Sequence, residues 1–483
     1  MEISNKKTKQ TIVFIVGAMM AGLISILNAP VLTRTLTTTT YVEYSMFISL
    51  VSVLSAVICM GYDSCYMRFY HKNTGIKFLL ICLSIPTIIC FLSCVLIFAT
   101  RNNILEIILG EKISILECFF FCFYLISKTT ARFTLLTMRM EGFAWNYVIS
   151  DCVERLFFIT FIILFRIVFG DVPFSYVLVA FGLGFAIEVA INIFRFPKTN
   201  RSFYYDNKIE NAGGELFKFG VFLGVSNIIM FCIPLVQKII IRQLLDVNQA
   251  AIFFSASIFA TAISLISVSV NNVWEPNVYK TINEGGSIKS AFHKYGIFIS
   301  WFLLSILGAV LVFRRYLVYV LAEQYRNVYI IAPCITFTAC FSIIYYFYSV
   351  GLEISKKTWV RFIITPLELA LSIIFLYFFA EIESIKTVAI ALLIGGVVSR
   401  IIGIVIGLMM YDTGRTLIKP IICWILSLII AIISLYFDDS ISDVIIGLFA
   451  LIAAYLVTFK DINEIIKTFI KTIKEKKEIN SHD

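Results

Sequence analysis

The sequence predicts an all-α polytopic membrane protein of about fourteen transmembrane helices. They form two six-helix lobes as parallel repeats, followed by two extra C-terminal helices. Three observations predict this. Hydrophobic residues make up 60% of the 483 and charged residues 15%, with a mean hydropathy of +0.92; soluble domains hold roughly 45–50% apolar and about 25% charged residues. Apolar runs of bilayer-spanning length, about 20 residues, recur from residue 11 to residue 458. Finally, landmarks of the first half return in order in the second.

The runs lie near 11–33, 41–62, 77–99, 114–137, 147–169, 173–195, 217–241, 249–275, 295–313, 328–350, 359–380, 387–410, 420–437 and 441–458. The basic start, "MEISNKKTKQ", is followed by no small-residue cleavage site, so the first run reads as a retained span. Alternate connections carry the cations: Lys6, Lys7 and Lys9; Arg68, His71 and Lys72; Arg139; Lys198, Arg201 and Lys208; Lys280 and Lys289; Lys356 and Lys357; Arg415 and Lys419; then a Lys-rich tail. The intervening connections are short and acidic or mixed, such as "AEIES" at 380–384 and "DDSISD" at 438–443. By the positive-inside rule both termini are expected in the cytoplasm. "RRYLVYVLAEQYRN" at 314–327 breaks the pattern, with Arg314, Arg315 and Arg326 on the outer side.

The repeat begins where "PVLTRTLTTTTYVEY" follows the first span and "PLVQKIIIRQLLDVNQAAIFF" follows the seventh, which places Arg34 and Arg242 in corresponding positions. "YMRFYHK" (66–72) answers "EPNVYK" (275–280), "ILEIILGEK" (104–112) answers "YLVYVLAEQ" (316–324), and "RMEGFAW" (139–145) answers "LEISKKTW" (352–359). Six spans is an even number, so both copies enter from one side and are related by an axis along the membrane normal. The expected divisions are a cytoplasmic tail (1–10), an N-lobe of spans one to six (11–196), a cytoplasmic linker (197–216), a C-lobe of spans seven to twelve (217–411), spans thirteen and fourteen (412–458) and a cytoplasmic basic tail (459–483). In that tail Ile462, Ile465, Ile466, Phe469, Ile470 and Ile473 recur at helical spacing among lysines. The pattern suits an amphipathic helix on an anionic leaflet or docked on the protein's own loops.

Several classes of function find no support. The formal charge of +9 reflects membrane flanks and calls for no nucleic acid. The 12 cysteines are scattered through apolar runs and the 3 histidines through polar ones, with no metal-ligand spacing. P-loop, HExxH and GxSxG motifs are absent. No catalytic residue, metal or cofactor is therefore expected, and the chain reads as a transporter. A membrane-bound glycosyltransferase or polysaccharide polymerase would need a large outer loop, which is lacking, and a channel would need a pore loop.

Charges inside spans are costly and face a cavity or a partner. Lys128 and Arg132 stand four apart on span four, hence on one face. Lys238 and Arg242 lie toward the outer end of span seven, and Arg34 at the edge of span one. These five are the candidate lining of an electropositive cavity between the lobes. Asp151 and Glu154 in span five, Glu188 in span six and Glu368 in span eleven are candidate ion-coupling groups or counter-ions; Asp151 or Glu154 could neutralise Arg132 or Lys128 across one hairpin. Arg361 and Arg400 read as snorkelling side chains.

At these residues a family resemblance enters. "PVLTRTL" with "YVEYSMF" and "GYDSCYMRFY" (61–70) resembles the start of bacterial polysaccharide flippases. "NNVWEPNVYK" (271–280) is similar to their Trp-x-Pro element, and "VLAEQYRN" to the loop between their ninth and tenth spans. These are the O-antigen, capsule and exopolysaccharide translocases of the multidrug/oligosaccharidyl-lipid/polysaccharide exporter superfamily. The resemblance departs at "TLTTTTYVEY", where those proteins carry Leu-Gly-Pro and Tyr-Gly. It implies a bacterial cytoplasmic-membrane protein that moves undecaprenyl-pyrophosphate-linked oligosaccharide units from the inner to the outer leaflet by alternating access. The implied partners are that lipid-linked cargo, membrane lipids, a polysaccharide polymerase and a chain-length regulator, with H+ or Na+ as the coupling ion. With the interior negative, expelling one negative charge gains about 2.3 kcal/mol per 100 mV. A lipid II flippase or a drug/cation antiporter of the same superfamily is the alternative.

Overall fold

The computed structural model describes the chain except residues 1, 69, 71–74, 111–112, 200–211, 265, 268–273, 275–277, 279–280, 282–288, 356–357, 380–383, 412–416, 438 and 481–483; within helices, the side chains at 1–12, 14–15, 18, 68, 75–77, 104, 193–223, 290–291, 353–354, 358, 361 and 465–483, those of Arg68 and Arg361 among them, also lie outside it. The middle of the expected linker, His71, Lys72, Lys356, Lys357, Arg415, most of "NNVWEPNVYK" and the apolar stripe of the tail beyond Glu464 therefore fall outside the described residues. Regular structure among the described residues is entirely helical. Among the described residues, ten helices, from Thr38–Cys59 to Ser440–Glu464, are long and apolar enough to cross a membrane, and Phe362–Phe378 and Ile418–Ile433 are shorter apolar helices. The protein is a multi-pass membrane protein.

The chain divides into two compact units, Met1–Thr261 and Ala262–Asp483. The first contains α1 (Glu2–Thr35), α2 (Thr38–Cys59), α3 (Tyr62–Arg68), α4 (Gly75–Thr100), α5 (Ile104–Leu109), α6 (Ile115–Glu141), α7 (Ala144–Phe169), α8 (Phe174–Thr199), α9 (Ala212–Leu244) and α10 (Val247–Ser255). Local chemistry sets several boundaries. α1 continues through Pro30, and in the turn after it Thr33 donates to the Ala29 carbonyl and Thr35 to that of Val31, both at 2.8 Å. The threonine run then stops α1 and starts α2, with the Thr37 hydroxyl accepting from the Thr40 N–H at 3.3 Å. Met60 and Gly61, at φ 42° and 80°, end α2 and turn the chain into α3. Ser114 and Glu117 form a capping box at the start of α6.

Within this unit α1 packs on α7, α7 and α6 on α8, α4 on α6, and α9 on α2. Spans seven and eight, which open the second repeat in the sequence, thus group with the first unit. At Gly224 of α9 a Cβ would lie 2.5 Å from the Met60 carbonyl carbon, so only glycine lets this helix lie so near the α2–α3 turn. Eleven of the twelve cysteines are buried and Cys232 is half-buried, as small apolar side chains would be.

The second unit contains α11 (Lys289–Leu317), α12 (Ala332–Ile354), α13 (Arg361–Phe378), α14 (Ile385–Met410), α15 (Ile418–Ile433) and α16 (Ser440–Asn480). Asp439 caps α16, accepting from the Ser442 N–H at 2.8 Å, and hydrogen bonding from Ser442 holds its carboxyl below the usual range. α16 continues without a break from the last span into the basic tail. Small residues allow close helix approach. A Cβ at Gly308 of α11 would lie 2.8 Å from the Gly447 carbonyl oxygen, and one at Gly447 would lie 2.7 Å from that of Gly308. Gly447→Leu is therefore expected to wedge α11 from α16, at a cost of about 1–3 kcal/mol or more. A clear fall in the melting temperature of the detergent-solubilised protein checks this. Gly182→Ala, whose Cβ would meet ordinary contacts from 3.5 Å outward, should leave that temperature unchanged.

Candidate functional site

The first unit encloses a cavity of about 440 Å³ among α1, α2, α6, α7 and α8. Lys128 and Arg132 project from α6; Asp151, Glu154 and Arg155 come from α7, and Glu188 from α8. Tyr44, Tyr124, Phe158, Phe181 and Phe185 supply an aromatic wall. Phe158 stacks on Phe181 with centroids 4.0 Å apart, and Tyr124 meets Phe185 edge-on at 4.9 Å. A second cavity of about 220 Å³ includes Lys128, Arg132, Ser55 and Cys59 in its lining, with Asp63, Asn227 and Phe231. Both cavities share these two cations, so α6 presents Lys128 and Arg132 at their common boundary. The four-residue spacing read from the sequence does place the two on one face.

Charge in the larger cavity is balanced, with three cations against three carboxylates. Arg132, whose side chain is 45% exposed, pairs with the buried Asp63. Asp63 is also fixed by the Ser64 N–H at 2.8 Å, through the oxygen that Arg132 does not engage. Arg155 donates to Ser25 of α1 and sits 3.5 Å from Asp151 on the next turn. The Nζ of Lys128 lies over the Tyr124 ring, 5.5 Å from its centroid. Glu188, only 2% exposed, stands 3.4 Å from the Ser150 hydroxyl, which donates its one proton to the Asn192 Oδ1 at 2.6 Å.

The other candidates lie elsewhere. Lys238 is half-buried between α9 and α2, and its ammonium donates to the Ser45 carbonyl (2.9 Å), the Ser45 hydroxyl (2.8 Å) and the Ser49 hydroxyl (2.9 Å), with the Phe254 ring 5.4 Å away. Its three protons thus have three acceptors, and it joins two helices. Arg242 reaches the short α5, donating to the Ile108 carbonyl at 3.4 Å, and its guanidinium fills the space beside Gly110, where φ is +90°. Arg34 is exposed in the last turn of α1 and is not among the residues lining either cavity.

In the second unit Glu368 of α13 accepts from Arg400 of α14 at 2.8 Å. Arg400 does not snorkel as its place near a span end suggested; its side chain is only 14% exposed because a carboxylate on the neighbouring helix holds it inside. Arg314 and Arg315, the exception to the charge rule, converge on Asp443. Arg314 is 1% exposed and Asp443 3%. Asp63 is the site residue that charge counting along spans missed. It stands in "GYDSCYMRFY", within the short α3, and nothing in one dimension ties it to Arg132, 69 residues later.

Residues 8–281 match the family model described as "Polysaccharide biosynthesis protein". Lsg locus putative protein 1 of Haemophilus influenzae is 23% identical over 341 residues, covering 66% of this chain and 78% of its own. Among solved structures, the lipid II flippase MurJ in an inward closed conformation is similar, with a TM-score of 0.64 and 17% identity over 93% of this chain and 99% of that one. A mutant of the Vibrio cholerae MATE transporter VcmN gives 0.57 and 14% over 85% and 98%. At such identities these structures establish a shared fold. The match over more than half of the chain, on a helical membrane fold common to these transporters, shows that the protein belongs to the polysaccharide biosynthesis protein family.

Proposed function

We propose that the protein is a lipid-linked oligosaccharide flippase. It moves undecaprenyl-pyrophosphate-linked repeat units from the inner to the outer leaflet of a bacterial cytoplasmic membrane by alternating access, with both termini in the cytoplasm. The observation that carries this reading is the polar, charged cavity among apolar helices. Such a cavity is costly in the membrane and marks a path for a polar ligand. Lys128 and Arg132 would bind the pyrophosphate, because a guanidinium offers a planar fork of donors to phosphate oxygens and an ammonium a compact charge. Asp63 would orient Arg132 as a positioning residue. The lipid tail stays in the bilayer while the headgroup crosses.

The test is reconstitution. Full-length protein in proteoliposomes, given undecaprenyl-pyrophosphate-linked oligosaccharide on one leaflet, should equilibrate it between leaflets faster than empty vesicles, as read by accessibility of the glycan to an impermeant lectin or oxidant. Movement of lipid II alone would transfer the assignment to that substrate. Movement of neither, by protein that remains folded, would refute it.

A further inference from the structure

We infer that the hydrocarbon tail of the cargo lies along a row of aromatic rings on α7, and that this row selects an unsaturated polyisoprenoid over a saturated chain. The inference rests on the proposed flippase reading and adds a site for the lipid.

The row is Phe157, Phe161, Phe165 and Phe169, each four residues from the last and so on successive turns of one side. Successive ring centroids are 6.2, 6.3 and 6.1 Å apart. Tyr176, from the first turn of α8, closes the far end, 5.4 Å from Phe165 and 5.0 Å from Phe169. At 1.5 Å per residue the row is about 18 Å long, more than half of a hydrocarbon core of about 30 Å. Phe157 and Phe169 are exposed and the other three rings half-buried, so the row is open to an occupant.

Its position and its chemistry say what that occupant is. Glu154, which lines the larger cavity, stands three residues before Phe157 and seven before Phe161, and so shares their side of the helix. The row starts one turn from the proposed headgroup site and runs toward the Gly170 end of α7, as a tail covalently joined to that headgroup would. Between Arg155 and Arg166 the one polar residue is Thr160, whose hydroxyl donates to the Leu156 carbonyl at 2.8 Å. Arg166 itself turns to the Gly170 carbonyl and Asp171. The hydroxyls of a glycan would find no partner along that stretch, at a cost that a hydrocarbon does not incur. The rest of the exposed surface here is aliphatic, with Leu156, Ile163, Leu164, Ile167 and Val168, which suits the acyl chains of the bilayer. Aromatic rings instead present negative faces to C–H edges, and the vinylic and allylic C–H groups of an isoprenoid are more polarised than those of a saturated chain.

The experiment uses full-length protein in nanodiscs and two probes with one headgroup, undecaprenyl diphosphate and its fully hydrogenated counterpart. The unsaturated lipid should bind at least about threefold more tightly. In Phe161→Leu with Phe165→Leu, which keeps the row apolar, that preference should fall toward unity while the hydrogenated lipid binds as before. Phe165→Leu alone, with the melting temperature as a check on folding, should lower it in the same direction. Phe119→Leu, at an exposed ring on α6, should leave it unchanged. Undecaprenyl diphosphate carrying a diazirine on its chain should label α7 between Phe157 and Phe169 in preference to other exposed helices. Equal binding of the two lipids, a preference that survives in the folded variants, or labelling spread evenly over the exposed helices overturns this inference alone. If neither diphosphate lipid binds, the flippase reading falls with it.

Discussion

Lys128→Ala is expected to abolish surface polysaccharide while leaving the protein at its normal level in the membrane. The reason is the position of the ammonium, on the boundary of both cavities and against the Tyr124 ring. Removing one member of a desolvated, charge-assisted contact costs about 2–5 kcal/mol, which is roughly 30-fold to several-thousand-fold in rate or affinity. Lys128→Arg keeps the charge but changes its shape, and should retain part of the activity. Lys238→Ala makes the instructive comparison. Three oxygen acceptors satisfy that ammonium, so its loss should show first as weaker attachment of α9 to α2 and a lower melting temperature. Normal polysaccharide from a stably produced Lys128→Ala protein would remove the cationic site from the proposed mechanism.

The contrast between these lysines marks what a sequence conveys and what it withholds. Hydropathy was enough for a helical membrane protein, and spacing was enough to put Lys128 and Arg132 on one face of α6. Pairing was not legible, because it depends on helix contacts rather than on neighbours in the chain. Ser45 lies 193 residues from Lys238, and Asp443 lies 129 from Arg314. The same reason explains Glu368. A lone carboxylate in a span invites an ion-coupling role, but the structure gives it Arg400 as a direct partner 32 residues on. The expected positive bias changes character too. Counting charges along spans finds Lys128, Arg132, Glu154 and Glu188, whereas folding gathers them around one cavity and adds Asp63 beside Arg132.

Asp443→Ala should be the most destabilising single change in the second unit. Its Oδ1 accepts from Arg314 and its Oδ2 from Arg315, the latter at 2.9 Å. Arg314 also donates to the carbonyls of Ser434 (3.2 Å) and Phe437 (2.9 Å), just beyond the end of α15, and to that of Tyr329 (3.3 Å). Terminal carbonyls left open by a helix thus find their donor in α11, and Asp443 neutralises the charge that this brings inside. Losing the carboxylate leaves a buried guanidinium unpaired, at a cost of about 3–5 kcal/mol. The fall should appear as lost monodisperse protein and a lower melting temperature in detergent. Arg315 is 32% exposed, so Arg315→Gln should cost about 1 kcal/mol or less. The double change Arg314→Met with Asp443→Leu removes both buried charges and should recover much of the stability lost by Asp443→Ala, because apolar replacements of a buried pair are often neutral. If Asp443→Ala melted like the parent protein, the cluster would have no part in holding α11, α15 and α16 together.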